Sequence, residues 1–330
     1  MGWLRQKVVR FLSDFNLISG YYRGIATIFV LHHVRSSPVG ELPANDVFRV
    51  SPEFLEDFIV LLGDAGYHFM SIDDLYEALH SGEVVKKGVV FTLDDGYIDV
   101  FKEAYPIFKK YSVPFTVYIT TSFLDRKGIL WWYALENLAL RSDELVVGGD
   151  RFICDTYAQK NNVLLELGKL VRSLRQEDLL CELNGLFGRY DVNWFYRNEE
   201  LCMSWKDVEL LSKEKLCTIG NHTVNHLVFS KLSEDEIVAE VMDANRIIEH
   251  RIGRKVKHFA YPFGGREEVG VRETEILGEL GFRTVVTARW GNIYPEHKRY
   301  CGCCLPRITL TEGFKVGDIS KFRRRRIVTV

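Results

Sequence analysis

Strand-sized apolar runs alternate with stretches of helical period in this chain, and that alternation limits its fold more than any other feature. The runs at 25–31 and 89–93 read as buried strands, and 115–120 reads as the next one. Between them, Ser51-Pro52-Glu53-Phe54 is a helix start, with serine as N-cap and proline in the first turn. Phe54, Leu55, Phe58, Ile59 and Leu62 continue at helical spacing toward Gly66. Ile72-Asp73-Asp74-Leu75 opens a short helix ending near Gly82, and 99–111 is helical. Strands resume near 217–220, 259–261, 284–287 and 305–310. The segment 233–251 is a helix with Glu236, Glu240 and other charges on one face. Repeated βα units imply a mainly parallel sheet.

The alternation breaks between about 125 and 200, where the pattern is helical and charged. This stretch is expected to be an insertion on a barrel, as a lid or a subdomain. A length of 330 residues gives a prior of roughly two domains, but α/β barrels of about 250 residues fold as one unit. The expected organisation is a helical segment over 1–24, a barrel over 25–312 carrying the insertion, and a basic tail over 313–330.

The 43 basic and 45 acidic residues leave a net charge of −2, so no global field attracts nucleic acid. Lys321, Arg323, Arg324, Arg325 and Arg326 form a local exception, read as a solvated terminus or a contact with anionic lipid. Trp3, Leu4, Val8, Phe11, Leu12 and Phe15 recur at helical spacing with Arg5, Lys7 and Arg10 between them. Such a helix packs on its own domain or lies in a membrane interface. No run approaches the ~18 apolar residues of a membrane span, and no signal-peptide pattern is evident. The expected location is the cytoplasm, either free or in peripheral contact with the inner face of the membrane. Seven scattered cysteines do not make a disulfide framework, and Cys301 and Cys304 lack the second pair that a structural zinc site needs.

Three places at expected strand ends carry chemistry. Asp94 and Asp95 follow a buried strand and precede Gly96. Neighbouring side chains on an extended chain point apart, so one carboxylate can bind a metal while the other takes a proton. A helix N-cap with a second acid on the helix dipole would give the same pair. His222 and His226 lie four residues apart, which on a helical turn puts both imidazoles on one side as ligands of one metal. The plainer reading is one surface and one core histidine. In 259–265, an apolar strand, a proline and two glycines form either a plain loop or a turn that can aim a backbone N–H at a substrate oxygen. Together, one carboxylate and two imidazoles make a metal set with open positions, and the second carboxylate supplies a general base.

The order and spacing of these motifs resemble the polysaccharide deacetylases of the NodB homology group, carbohydrate esterase family 4. Thr92-Leu93-Asp94-Asp95-Gly96 stands for the family's T-F-D-D-G, and His222 to His226 for H-[ST]-x-x-H. Ala260-Tyr261-Pro262-Phe263-Gly264 fills the R-x-P-Y-G-like turn, Leu31-His32-His33-Val34 is similar to the opening Y-H-x-[IV], and Leu305-Pro306-Arg307-Ile308 resembles the closing strand. The resemblance covers about 25–120 and 200–312. It implies a distorted (β/α) barrel with a helical insertion. It also implies that Asp95, His222 and His226 bind a divalent metal, usually zinc, with cobalt, nickel or manganese as other occupants. Asp94 becomes the general base, the Phe263 N–H an oxyanion donor, and His33 the general acid in place of a missing L-x-H histidine. Thr223, Arg289 and Arg307 are candidates for supporting residues. Ala260 stands where the family has arginine, so either Arg289 or Arg307 is expected to orient Asp94.

The implied reaction removes an acetyl group from an N-acetylated sugar or oligosaccharide, with a lipid-linked precursor among the expected substrates. Trp131, Trp132 and Tyr133 are expected either to stack on the sugar or to pack the insertion. A deformylase or other amide hydrolase acting on a lipid-linked sugar, and a non-catalytic glycan-binding protein, are the competing readings.

Overall fold

A computed structural model describes residues 23–82 and 85–320. Strands β1 (Ala26–Leu31), β2 (Gly88–Leu93), β3 (Phe115–Ile119), β4 (Cys217–Asn221), β5 (His258–Ala260), β6 (Thr284–Val286) and β7 (Ile308–Thr309) are parallel. They run in the spatial order β6-β5-β4-β3-β2-β1-β7. A short strand, His68–Phe69, extends the sheet beside the start of β2. The segment 305–309 links the two edges. Leu305 bridges Val286 of β6, and Ile308 and Thr309 pair with Phe29 and Val30 of β1. The sheet therefore curls around an interior, as the expected distorted (β/α) barrel does.

Strand alternation sorts the side chains into two cores. Ala26, Ile28, Val90, Tyr118, Ala260 and Val286 fill the interior. Phe29, Leu31, Phe91, Leu93, Phe115 and Val117 face outward under the helices. Phe29 meets Phe58 of the helix Pro52–Asp64 edge-on at 5.4 Å, and Phe91 meets Phe108 at 5.4 Å. β1 and β2 are thus buried on both faces, which is why their sequences are continuous apolar runs.

The helix starts follow their cap residues. Ser51 Oγ accepts from the Phe54 N–H at 3.2 Å. Ser71 and Asp74 form a capping box for the helix Ile72–Ser81, which stops at Gly82 with φ +76°. Ile72, Leu75 and Leu79 of that helix join the interior core beside Ala26 and close the end of the barrel where β1 begins. Asp73 reaches across to His258 (3.4 Å) and Arg283 (2.8 Å), which hold its carboxyl well below the usual carboxylate range.

The inserted stretch leaves the sheet after β3. It contains the helices Trp131–Leu140, Tyr157–Ser173 and Leu179–Phe187. It is not helical throughout: Glu144–Val147 and Asp150–Ile153 form an antiparallel hairpin. Gly148 and Gly149, both at positive φ, make its two-residue turn. The basic tail also starts later than expected. Phe314 packs edge-on against Phe29 and Phe58, and Ile319 is fully buried, so the chain stays docked to residue 320. The apolar and basic pattern of the N-terminal segment and the arginine run at 323–326 lie outside the described residues. Among the described residues, no helix is long and apolar enough to cross a membrane.

Candidate active site

The inward positions Val90 and Thr92 of β2 lead directly to Asp94, whose carboxylate stands at the barrel mouth. Arg307, from the segment entering β7, clamps it: Nη1 donates to Oδ1 at 2.8 Å and Nη2 to Oδ2 at 2.7 Å. The same guanidinium donates to Thr92 Oγ1 (3.1 Å) and the Thr287 carbonyl (2.9 Å), and lies over the Tyr118 ring. Arg307 is 1% exposed. Burial alone would raise the Asp94 pKa, but the Arg307 charge, helped by His222, holds it below the ordinary value. Of the two arginines expected near Asp94, Arg307 is the one that orients it. Arg289 sends its Nη2 to the Val269 carbonyl instead.

Alternation would point Asp95 out of the barrel. Left-handed backbone at Asp95 (φ +71°), followed by Gly96 (φ +84°), turns its carboxylate back toward the mouth. A non-glycine residue in that region costs roughly 1–2 kcal/mol, which the surrounding contacts must offset.

His222 follows β4. Its Nδ1 lies 2.7 Å from the Ala260 carbonyl, which can only accept, so Nδ1 carries the hydrogen. The lone pair is then on Nε2, 3.3 Å from Asp95 Oδ1 and 4.0 Å from Asp94 Oδ2. His226 Nε2 lies 3.3 Å from the same Asp95 oxygen. The two imidazoles do not share a helical turn, as their spacing suggested. Thr223 (φ +71°) and His226 (φ +57°) are both left-handed, and the loop folds back on itself. Thr223 Oγ1 accepts from the His226 N–H at 2.9 Å, which gives this residue a supporting role in the loop.

Glu240, from the helix Glu234–Ile252, accepts from the backbone N–H groups of Val224 and Asn225 and from Asn225 Nδ2 (3.1, 2.8 and 2.7 Å). Burial nevertheless raises its pKa. It belongs to the buried side of its helix rather than to a solvated charged face, and sequence reasoning missed its role. The available signal was its place within the apolar stripe Ile237, Val241, Ala244 and Ile248.

The donor set fits a divalent metal. Asp95 Oδ1 is buried and accepts no hydrogen bond, yet it faces two imidazole nitrogens. Two donors each about 2.1 Å from a tetrahedral ion lie roughly 3.4 Å apart, in line with both separations of 3.3 Å. Among the described residues, Asp95, His222 and His226 form the one such convergence of three His, Cys, Asp or Glu side chains. Cys301, Cys303 and Cys304 are free thiols and recruit no further ligand.

The acid assignment to His33 is not supported. His33 Nδ1 bonds Asp99 at 2.7 Å, and its Nε2 takes the Tyr133 hydroxyl at 2.9 Å. Its ring stacks on Tyr97 at 3.8 Å. Both nitrogens are therefore committed. His32 continues the inward register of Ala26, Ile28 and Val30, and its ring feels the charges of Asp95 and Asp94. It makes no hydrogen bond among the described residues, and its Nδ1 is buried without a partner. Burial lowers its pKa.

Phe263 sits at φ +58° with Gly264 at +65°, and its N–H makes no hydrogen bond among the described residues. A Cβ at Gly264 would come within 2.6 Å of the Ala288 nitrogen, so the turn needs glycine there. The Phe263 ring packs on His226 at 4.7 Å, and Trp132 meets the same imidazole edge-on at 5.6 Å. Asp94, Asp95 and both histidines share a cavity of about 420 Å³ with Trp131, Trp132 and Tyr133. The first helix of the insertion thus supplies one wall of the site.

A parallel barrel with a carboxylate–imidazole cluster and an arginine-clamped second carboxylate at its mouth has the layout of a hydrolase. The sequence profile of one family, described as polysaccharide deacetylase, matches residues 81–285. This chain belongs to the polysaccharide deacetylase family. It is a hydrolase of carbon–nitrogen bonds other than peptide bonds, and its reaction is the N-deacetylation of a glycan. A search of curated proteins by sequence returns no match.

Solved structures share the fold. The deacetylase PplD of Streptococcus pyogenes, solved with acetate, is 20% identical with a TM-score of 0.58, over 87% of this chain and 93% of that one. IcaB from Ammonifex degensii is 17% identical with a TM-score of 0.58, over 90% and 97%. A de-N-acetylase from Aggregatibacter actinomycetemcomitans is 14% identical with a TM-score of 0.55, over 90% and 99%.

Proposed function

We propose that this protein removes the acetyl group from an N-acetylated sugar of a glycan or glycan precursor, with a divalent metal held by Asp95, His222 and His226. Zinc suits this set of two nitrogens and one oxygen with an open face. One observation carries the reading: a carboxylate clamped by Arg307 stands beside a buried carboxylate oxygen that accepts no hydrogen bond among the described residues and faces the Nε2 atoms of His222 and His226. A divalent ion held by these residues would supply Lewis acidity and lower the pKa of water toward neutrality.

The chain's own residues supply the rest. Asp94 accepts a proton from the attacking water. The Phe263 N–H donates to the oxygen on which negative charge develops, a contact worth several kcal/mol when preorganised. His32, whose pKa burial lowers, takes from Asp94 the proton that came from water and passes it to the departing nitrogen as the C–N bond breaks, which leaves Asp94 ionised again. Trp131 and Trp132 offer ring faces to the sugar, while the Tyr133 hydroxyl is engaged by His33.

Acetate release from short N-acetylglucosamine oligomers tests the reading. Chelation should abolish release, and zinc or cobalt should restore it. Formate as the product, or release indifferent to chelator, would overturn it. Within this scheme, His32→Gln should lower kcat by about 10²–10³-fold. His33→Gln disturbs the hydrogen bonds to Asp99 and Tyr133 but removes no group that acts on the substrate, and should cost less than tenfold. The reverse order of effects would return the acid role to His33.

A further inference from the structure

The face of the helix Tyr157–Ser173 that borders the cavity carries Leu165, Gly168, Lys169 and Arg172, at the i, i+3, i+4 and i+7 positions of one helical stripe. The mechanism uses none of them. Gly168 faces the Trp131 ring, which would lie 3.4 Å from a Cβ at that position, an ordinary van der Waals contact. Trp131 in turn lies 6.5 Å from the Phe263 ring at 29°. The two cations therefore stand beside the aromatic wall that faces the reacting sugar.

Charge accounting separates them from the rest of the mouth. Asp94 is neutralised by the Arg307 clamp, and Asp95 faces the two imidazoles. Arg172 lies over the Phe263 ring and is 3.8 Å from Glu268, a loose pairing that leaves donors available. Lys169 is exposed, borders the cavity, and makes no hydrogen bond or ion pair among the described residues. An ammonium without a partner, next to a stacking surface, suits an oxyanion attached to a sugar.

We propose that the substrate carries an anionic group, phosphoryl or carboxyl, on or next to the N-acetylated sugar, and that Lys169 with Arg172 binds it. This rests on the deacetylase reading of the site and narrows its substrate class.

The test compares acetate release from N-acetylglucosamine 1-phosphate, an N-acetylated disaccharide bearing a uronic acid, and neutral N,N′-diacetylchitobiose. The wild-type protein should favour at least one anionic substrate in kcat/KM, and added salt should weaken that preference. Lys169→Ala should reduce the preference about tenfold through KM, with Lys169→Arg restoring it. The anionic substrate that responds identifies the group as phosphoryl or carboxyl. Equal use of charged and neutral substrates, or an equal loss on all three in Lys169→Ala, would overturn the proposal.

If no substrate yields acetate, the deacetylase reading fails and binding decides this inference separately. Glucosamine 1-phosphate should then quench the fluorescence of the Trp131–Trp132 wall, with an affinity that Lys169→Ala lowers about tenfold. No binding of either this ligand or the uronic-acid disaccharide, or binding that Lys169→Ala leaves unchanged, would refute it.

Discussion

Asp94→Asn should lower turnover by at least about 10³-fold while leaving one divalent metal bound per chain. Asparagine keeps the shape of the side chain but cannot accept the water's proton. Asp95, His222 and His226 are untouched, so metal content measured on the purified variant should match that of the wild type. The Arg307 clamp changes in a defined way. Its Nη1 can still donate to an amide oxygen, but its Nη2 would then face an NH₂ group that cannot accept. A buried cation with one donor unsatisfied costs about 1–3 kcal/mol, so the melting temperature should fall by several degrees. Folded, metal-loaded and inactive protein is the expected result. Full activity would remove Asp94 from the role of base, and loss of the metal would place it among the ligands.

The place of this site was legible in the sequence because its residues sit at the ends of recognisable strands. Asp94 and Asp95 end β2, and His222 follows β4. Which of His32 and His33 looks into the barrel was not legible, for a physical reason. Inside and outside can be read from a strand only when one face is polar. β1 is buried on both faces, so its apolar run does not show which residues look inward. The register becomes visible only when Ala26, Ile28 and Val30 are seen to line the interior, and His32 continues that set.

The turn of Asp95 was hidden similarly, since nothing in its side chain announces a left-handed backbone. The i, i+4 histidine spacing paired two rings that the structure does bring together, but on a loop rather than on a helical turn. Helical periodicity of the inserted stretch masked the hairpin, although Val147-Gly148-Gly149-Asp150 carries a two-residue turn signal.

Arg307 connects the barrel to the reaction, and its replacement should show both connections at once. Its guanidinium meets four acceptor atoms: both Asp94 oxygens, Thr92 Oγ1 and the Thr287 carbonyl. A lysine has three donors on one atom and cannot reproduce that planar fork. Arg307→Ala leaves a buried carboxylate without its counter-charge and should cost about 3–5 kcal/mol of stability. Arg307→Lys is the variant expected to fold and report on the chemistry.

The direction of its pH effect follows from the cause of the Asp94 shift. Asp94 is held below the ordinary carboxylate value in the folded protein, so its stabilising contribution is present above the unfolded pKa and is lost as pH falls through the lower folded value. If Asp94 is the base as proposed, the same proton controls it, so the acid limb of kcat against pH should lie low in the wild type. Weakening the clamp raises the Asp94 pKa and moves that limb to higher pH, with a lower plateau because the carboxylate is less firmly aimed. A bound divalent cation lowers the pKa in both proteins and leaves the sign of the difference unchanged. A pH–kcat profile of Arg307→Lys that overlays the wild type would mean that the proton lost on the acid limb is not the one Arg307 keeps off Asp94.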